Sequence, residues 1–242
     1  MKQIFKIAGA GAVVLLLLSC ATADPRNKYP DMVADMDPFA VGAIEAAFDR
    51  MFSSNLAKAD IEVIFYPRYN TVALSFRYQA VRYRQFWDAA DRKLFADALD
   101  SYKIDYAERN LINKYRKTRS IYGKTKGQLE WETFKFSKTH LSYPSIEFGY
   151  RIRGDKPYFA TLTRSAQEEP GSGDNSTLVD NSQINMYFTR AQAEELANIF
   201  EQSFLMEMLT APRAADEENA EEQSPSRKSR EPASSNIQYD ED

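Results

Sequence analysis

Few residues in this chain could carry bond-making chemistry. There is one histidine, His140, and one cysteine, Cys20. A hydrolytic triad needs a base beside a nucleophile and a third group to hold the base. His140 sits in Lys138-Thr139-His140-Leu141, with no nucleophile motif around it, and no Gly-x-Ser-x-Gly elbow occurs. It reads as a loop or strand-edge residue. A structural zinc site needs several Cys or His ligands, and the chain does not hold them. Gly123-Lys124-Thr125 has the ending of a phosphate loop, but Thr118 stands where the first glycine must be. Glu130 and Glu132 lie two apart on an expected strand and so share a face. Carboxylates flanking a glycosidic bond stand ~5–9 Å apart, a spacing that ordinary solvated strand faces also meet. Asp174-Asn175-Ser176 and Asp180-Asn181-Ser182 offer oxygen ligands. Their spacing is not that of the calcium loop that ends on a bidentate glutamate. The expectation is a protein that is not an enzyme, with no catalytic residue, metal or cofactor.

Arginines set among aromatics are more suggestive. The run Phe76-Arg77-Tyr78-Gln79-Ala80-Val81-Arg82-Tyr83-Arg84-Gln85-Phe86-Trp87 holds three of them, Arg77, Arg82 and Arg84. Arg151 and Arg153 fall on the polar face of a second alternating strand. If the two strands are neighbours, a basic stripe crosses an exposed sheet face. Guanidinium groups there could bind an acidic lipid headgroup, a glycan or a protein partner. They could equally pair with the many glutamates and stay solvated.

Cys20 has a different role. Lys2 and Lys6 give a positive start, Ile7 to Leu18 is an apolar run, and Ser19 is small. This is the layout of a secretory signal peptide, residues 1–19. The run is shorter than the ~20 residues that a membrane-spanning helix needs. Leu17-Leu18-Ser19-Cys20 resembles the lipobox of bacterial lipoproteins, with Leu18 where a smaller residue is more usual. The resemblance covers the first twenty residues alone. It implies cleavage before Cys20, a diacylglycerol on its thiol and often an acyl group on the new N-terminus. Two or more chains give the stable anchoring that one does not. Lipidation also explains a lone cysteine in an exported chain. The partner is then a bacterial membrane, with the domain outside the cytoplasm.

The net charge of −4 is uneven. The signal carries +2 and residues 213–242 carry −5, which leaves the body at −1. That balance disfavours a nucleic-acid partner. Residues 213–242 are rich in Glu, Ala, Ser and Pro and are expected to be a disordered acidic tail. Residues 20–38, with Pro25, Pro30 and Pro38, read as a lipidated N-terminus and tether. Residues 39–212 suit a single domain with a sizeable core.

Within that domain, Ala40, Ile44, Ala47, Phe48, Met51 and Phe52 recur at helical spacing and predict a helix over 39–57. Ile61 to Tyr66 and the alternating Val72, Leu74, Phe76 and Tyr78 predict a hairpin around Pro67-Arg68-Tyr69-Asn70. A second helix is expected from Phe86 to Tyr106, continuing or restarting towards Arg119. Strands follow at 128–137, 146–153, 158–164 and 184–188. Thr189 then caps a helix to about Leu209. Its glutamate-rich polar face argues for core packing and not for membrane insertion. The order α-β-β-α-β-β-β-β-α predicts an α+β fold. It has two layers: an antiparallel sheet of about six strands with helices on one face. The expected function is a non-catalytic, lipid-anchored envelope protein that binds a partner or supports an assembly. The alternatives are a carrier of a small hydrophobic or anionic ligand between sheet and helices, and an enzyme with an unrecognised site.

Overall fold

The structure is a computed structural model that describes residues 29–50, 55–111, 121–133, 138–154, 156–173 and 178–210. The expected signal peptide, Cys20, the start of the tether and the acidic tail lie outside these residues. So do part of the expected 106–119 segment and the first of the two Asp-Asn-Ser motifs.

Ten strands form one antiparallel sheet. They are β1 (Phe39–Asp49), β2 (Leu56–Tyr66), β3 (Thr71–Tyr78), β4 (Val81–Trp87), β5 (Ile121–Lys126), β6 (Gln128–Glu132), β7 (His140–Ser142), β8 (Ser145–Arg153), β9 (Lys156–Thr163) and β10 (Ile184–Phe188). Their order across the sheet is β5-β8-β9-β10-β1-β2-β3-β4-β6-β7. The helices are α1 (Ala89–Ala107), α2 (Arg190–Phe200) and α3 (Gln202–Met208).

β5 and β6 stand near opposite ends of that order, yet only Gly127 separates them in the chain. Likewise only Tyr143 and Pro144 separate β7 from β8. Lys126 pairs with Ser145, Leu129 with Ser142 and Trp131 with His140, all in one continuous register. Residues 121–132 and 140–153 are therefore a single long hairpin, bent at Gly127 and Pro144. Its lower half joins β9 through β8, and its upper half joins β4 through β6. The bend brings the two ends of the sheet together and makes it a half-barrel. Contacts across the concave side follow. Thr163 of β9 donates to the Gln85 side chain of β4 at 3.4 Å. The rings of Trp87 and Phe148 meet at 5.3 Å.

The helices fill part of this concavity. Phe95 of α1 packs its ring against Trp87, Phe148, Phe159 and Phe200, at centroid distances of 5.2–5.8 Å. Asp88 caps α1 by accepting from Asp91 N–H at 2.8 Å, and Asp91 returns the bond. Buried Arg92 ties the elements together. It donates to the Asn70 carbonyl at 2.8 Å and to Gln202 of α3 at 2.9 Å. No helix among the described residues is long and apolar enough to cross a membrane.

The expected two-layer α+β fold of about six strands with helices on one face is thus corrected to a mostly-β half-barrel of ten strands. The largest single reason is β1. Its Ala40 is exposed and Ala47 is only half-buried, while Ile44, Ala46 and Phe48 alternate inward. Alanine on both faces gave a false helical stripe, and a bulge between Ala40 and Gly42 shifted the phase. Pairing with β2 and β10 on either side decides the conformation. The second expected helix starts too early, because Phe86 and Trp87 belong to β4. β4 itself was hidden by Gln85, a fully buried amide at a core-facing position. β5 is polar and β7 has three residues, too little for a periodicity to show.

Gly127 is held to a hydrogen by its surroundings. A Cβ there would stand 2.5 Å from Ile146 Cδ1 and 3.3 Å from the Phe86 carbonyl oxygen. Ile146 is fully buried and has little room to move. Gly127→Ala should lower stability by about 1–3 kcal/mol, as overpacking does. Ile146→Val removes the offending methyl. Denaturant melts should show the two changes together costing less than their sum, and strict additivity would refute the steric account.

Candidate functional site

The five arginines divide into two places. Register puts Arg77 of β3 directly opposite Arg82 of β4, and Arg84 opposite Ser75. On the other side, Arg82 faces Glu132 and Arg84 faces Glu130 of β6. These three arginines share the outer face of β3 and β4. Arg151 and Arg153 lie on β8, which β9, β10, β1 and β2 separate from β3. The strands are not neighbours, so the arginines do not form one stripe. Arg153 pairs with Asp49 and lies 5.2 Å over the Tyr187 ring. Arg151 is half-buried, and burial lowers its guanidinium pKa. Arg77 and Arg82 are exposed, and neither forms an ion pair with a described residue.

Arg84 is the member that lines a recess. An open groove of about 580 Å³ lies on the outer face of β2, β3, β4 and β6. Tyr66, Tyr69 and Phe86 give it aromatic walls, and Arg84, Gln128, Glu130, Thr71 and Thr139 give it a polar lining. Strand alternation positions them. Tyr66 is opposite Thr71 on β3, and Phe86 lies between Ala73 and Gln128. The Tyr66 and Phe86 rings meet edge to face at 5.4 Å. Arg84 Nη2 lies 3.1 Å from Glu130 and 3.7 Å from Glu132. Gln128 donates to Glu130 at 3.0 Å, and Thr139 donates to Glu132 at 2.8 Å. The two carboxylates do share a face, but Arg84 bridges them and neighbours hold them. They form a braced hydrogen-bonding surface, not a free acid and base.

The groove ends at the β2–β3 turn, where residues of the expected tether are docked. Tyr29 packs its ring against Tyr69 at 5.0 Å. Val33 N–H donates to the Pro67 carbonyl at 3.0 Å, and Arg68 pairs with Asp35 at 2.6 Å. Tyr69 is 53% exposed. Sequence reasoning set Arg84 in a run with Phe86 but did not bring Tyr66 and Tyr69 to it. A signal was present: Tyr66 and Phe86 are large aromatics at outward positions of a sheet, where polar residues are usual.

His140 is also paired with a carboxylate. Its Nδ1 lies 2.8 Å from Glu168 Oε1, and both residues are buried. Trp131 stacks on the imidazole at 5.2 Å. Ser172 Oγ lies 3.0 Å from the same carboxylate, and Val179 N–H donates to its other oxygen at 3.0 Å. The carboxylate stands between serine and histidine. A nucleophilic triad instead places histidine in the middle. A Cβ at Gly173, whose φ is +69°, would overlap both Glu168 and His140. Asn181 makes similar bonds to Ser142, Ala166 N–H and the Arg164 carbonyl. The network staples the segment before β10 onto β7. The second Asp-Asn-Ser motif spends its Asn181 here. Among the described residues, no cluster of three or more His, Cys, Asp or Glu could hold a metal.

Burial raises the Glu168 carboxyl, but bonds from Val179 N–H, His140 and Ser172 outweigh it and hold the group below its ordinary 4.5. A carboxyl depressed by folding stabilises the protein above its unfolded pKa, and that stability is lost as pH falls through the folded value. Glu168→Gln should therefore flatten the acid limb of stability below about pH 4.5. At neutral pH it should cost about 1–3 kcal/mol. Chemical melts across pH 2–7 check this, and an unchanged acid slope would assign the linkage elsewhere.

Comparison with known proteins gives a family and one relative. An uncharacterized protein of Treponema pallidum (strain Nichols) is 23% identical over 212 residues, which is 83% of this chain and 73% of that protein. No solved structure matches the chain. The family model described as "Uncharacterised Treponema protein" matches residues 39–207, from the first residue of β1 to the penultimate residue of α3. The chain belongs to that family.

Proposed function

We propose that this chain is a non-catalytic, lipid-anchored envelope protein that binds a partner through the groove on the outer face of β2, β3, β4 and β6. The observation that carries the reading is the groove itself. Aromatic walls on an outward sheet face stand beside a braced set of donors and acceptors, which is the composition of a recognition surface. Nothing in it is arranged to move a proton or to attack a carbon. The anchor rests on the lipobox resemblance at Cys20. The docked residues 29–38 support a placement near the membrane, because they leave only residues 21–28 between the lipid and the domain. Eight residues span at most ~29 Å when fully extended.

A photoreactive amino acid at Tyr69 in intact cells tests both parts. The same group at Tyr158, on the outer face of β9 and away from the groove, serves as the control. The expected result is a discrete adduct from position 69 that is absent from position 158 and reduced in Cys20→Ala. No site-specific adduct would remove the partner-binding reading. Mass spectrometry that finds Cys20 unmodified would remove the anchor.

A further inference from the structure

We infer that the ligand of this groove is a neutral saccharide, an inference that rests on the binding reading above and gives it a chemical class. Charge argues first against an anion. Among the described residues, Arg84 is the only cation that lines the groove, and it already bridges Glu130 and Glu132. Glu62 lies on the same outer row, opposite Ser75 and so next but one to Arg84. A phosphate or sulfate entering here would meet more carboxylate than guanidinium. The exposed Arg77 and Arg82 lie one row away and do not line the recess. The expected anionic ligand is therefore poorly matched to this surface.

The lining is equally wrong for a wholly apolar ligand, because five of its eight described residues are polar. A sugar ring has both characters. Its C–H face lies against aromatic rings, and its hydroxyls each donate and accept. Tyr66, Tyr69 and Phe86 offer the rings. Arg84 and Gln128 offer planar donors, and Glu130 offers acceptors. These polar groups are held by one another, so binding would freeze few rotors. The volume of about 580 Å³ falls within the ~300–1,000 Å³ of small-molecule sites. The saccharide could be free or the headgroup of a glycolipid in the membrane to which the short tether leads.

The test uses the full mature chain with Cys20→Ala, to keep it in solution. A glycan array of neutral and acidic oligosaccharides comes first, followed by calorimetric titration with the best neutral member. Vesicles bearing a neutral glycolipid with that headgroup form the second arm, and preference between the arms identifies the source. Tyr69→Ala, at an exposed turn, should weaken binding about tenfold, the worth of one lost ring contact. Arg77→Ala should leave it unchanged. Acidic glycans bound through Arg77 and Arg82 would overturn the proposal, as would a neutral sugar indifferent to Tyr69→Ala. An array with no neutral ligand, alongside a protein adduct at position 69, would overturn the saccharide and keep the binding reading. Loss of both would end both.

Discussion

Residues 123–131 and 140–148 keep one hairpin register across both β5–β8 and β6–β7, yet they serve two edges of one sheet. That requires a bend where both strands change direction together. Gly127 meets the requirement on one strand because its missing side chain lets Ile146 and the Phe86 carbonyl close in. Pro144 meets it on the other, and its carbonyl accepts from Gly127 N–H at 3.2 Å, so the two bends are joined. Once bent, the hairpin carries β9 on one flank and β4 on the other. The concave side then has to be filled, and the ring cluster around Phe95 fills it. The short edge strand β7 is protected by the stapled segment. Glu169 N–H and the Ser172 hydroxyl satisfy the Leu141 backbone.

The same bend makes the outer face available. Because the helices occupy the inside, β2, β3, β4 and β6 present an outward surface, and among the described residues no helix or strand is laid over its groove. Alternation then dictates what appears there. Every inward Phe65, Leu74, Gln85 and Leu129 has outward neighbours, and Tyr66, Arg84, Phe86, Gln128 and Glu130 are among them. The groove is a consequence of register. A one-residue slip of β4 would turn Arg84 and Phe86 inward and destroy both the core and the site.

What the sequence made legible was whatever repeated cleanly over several residues. The β2–β3 hairpin, β8, β10 and the Thr189 cap all carry such patterns, and Thr189 with Gln192 forms a reciprocal cap. What it concealed involved residues whose environment is decided by distant chain. Gln85 is buried because Thr163, far along the sequence, comes to meet it. The alanines of β1 are silent about facing, and only β2 and β10 fix them. The arginines were visible as a composition. Their division between the β3–β4 pair and β8 depends on a strand order that no local pattern encodes.

The position of the docked segment links the two halves of the functional argument. Tyr29, Val33 and Asp35 grip the β2–β3 turn through a ring contact, a backbone hydrogen bond and an ion pair. The ion pair is exposed and contributes little by itself. The backbone bond and ring contact fix where the chain leaves the domain. Tyr69 is shared by that exit and by the groove wall. A lipid on Cys20 would therefore hold the groove end within a short, bounded distance of the membrane surface. A freely jointed tether of the full 21–38 stretch would scatter the domain over a much larger volume. With a lipid on Cys20, docking would raise the effective concentration of the groove for anything displayed at that surface. It would do so without adding a single contact.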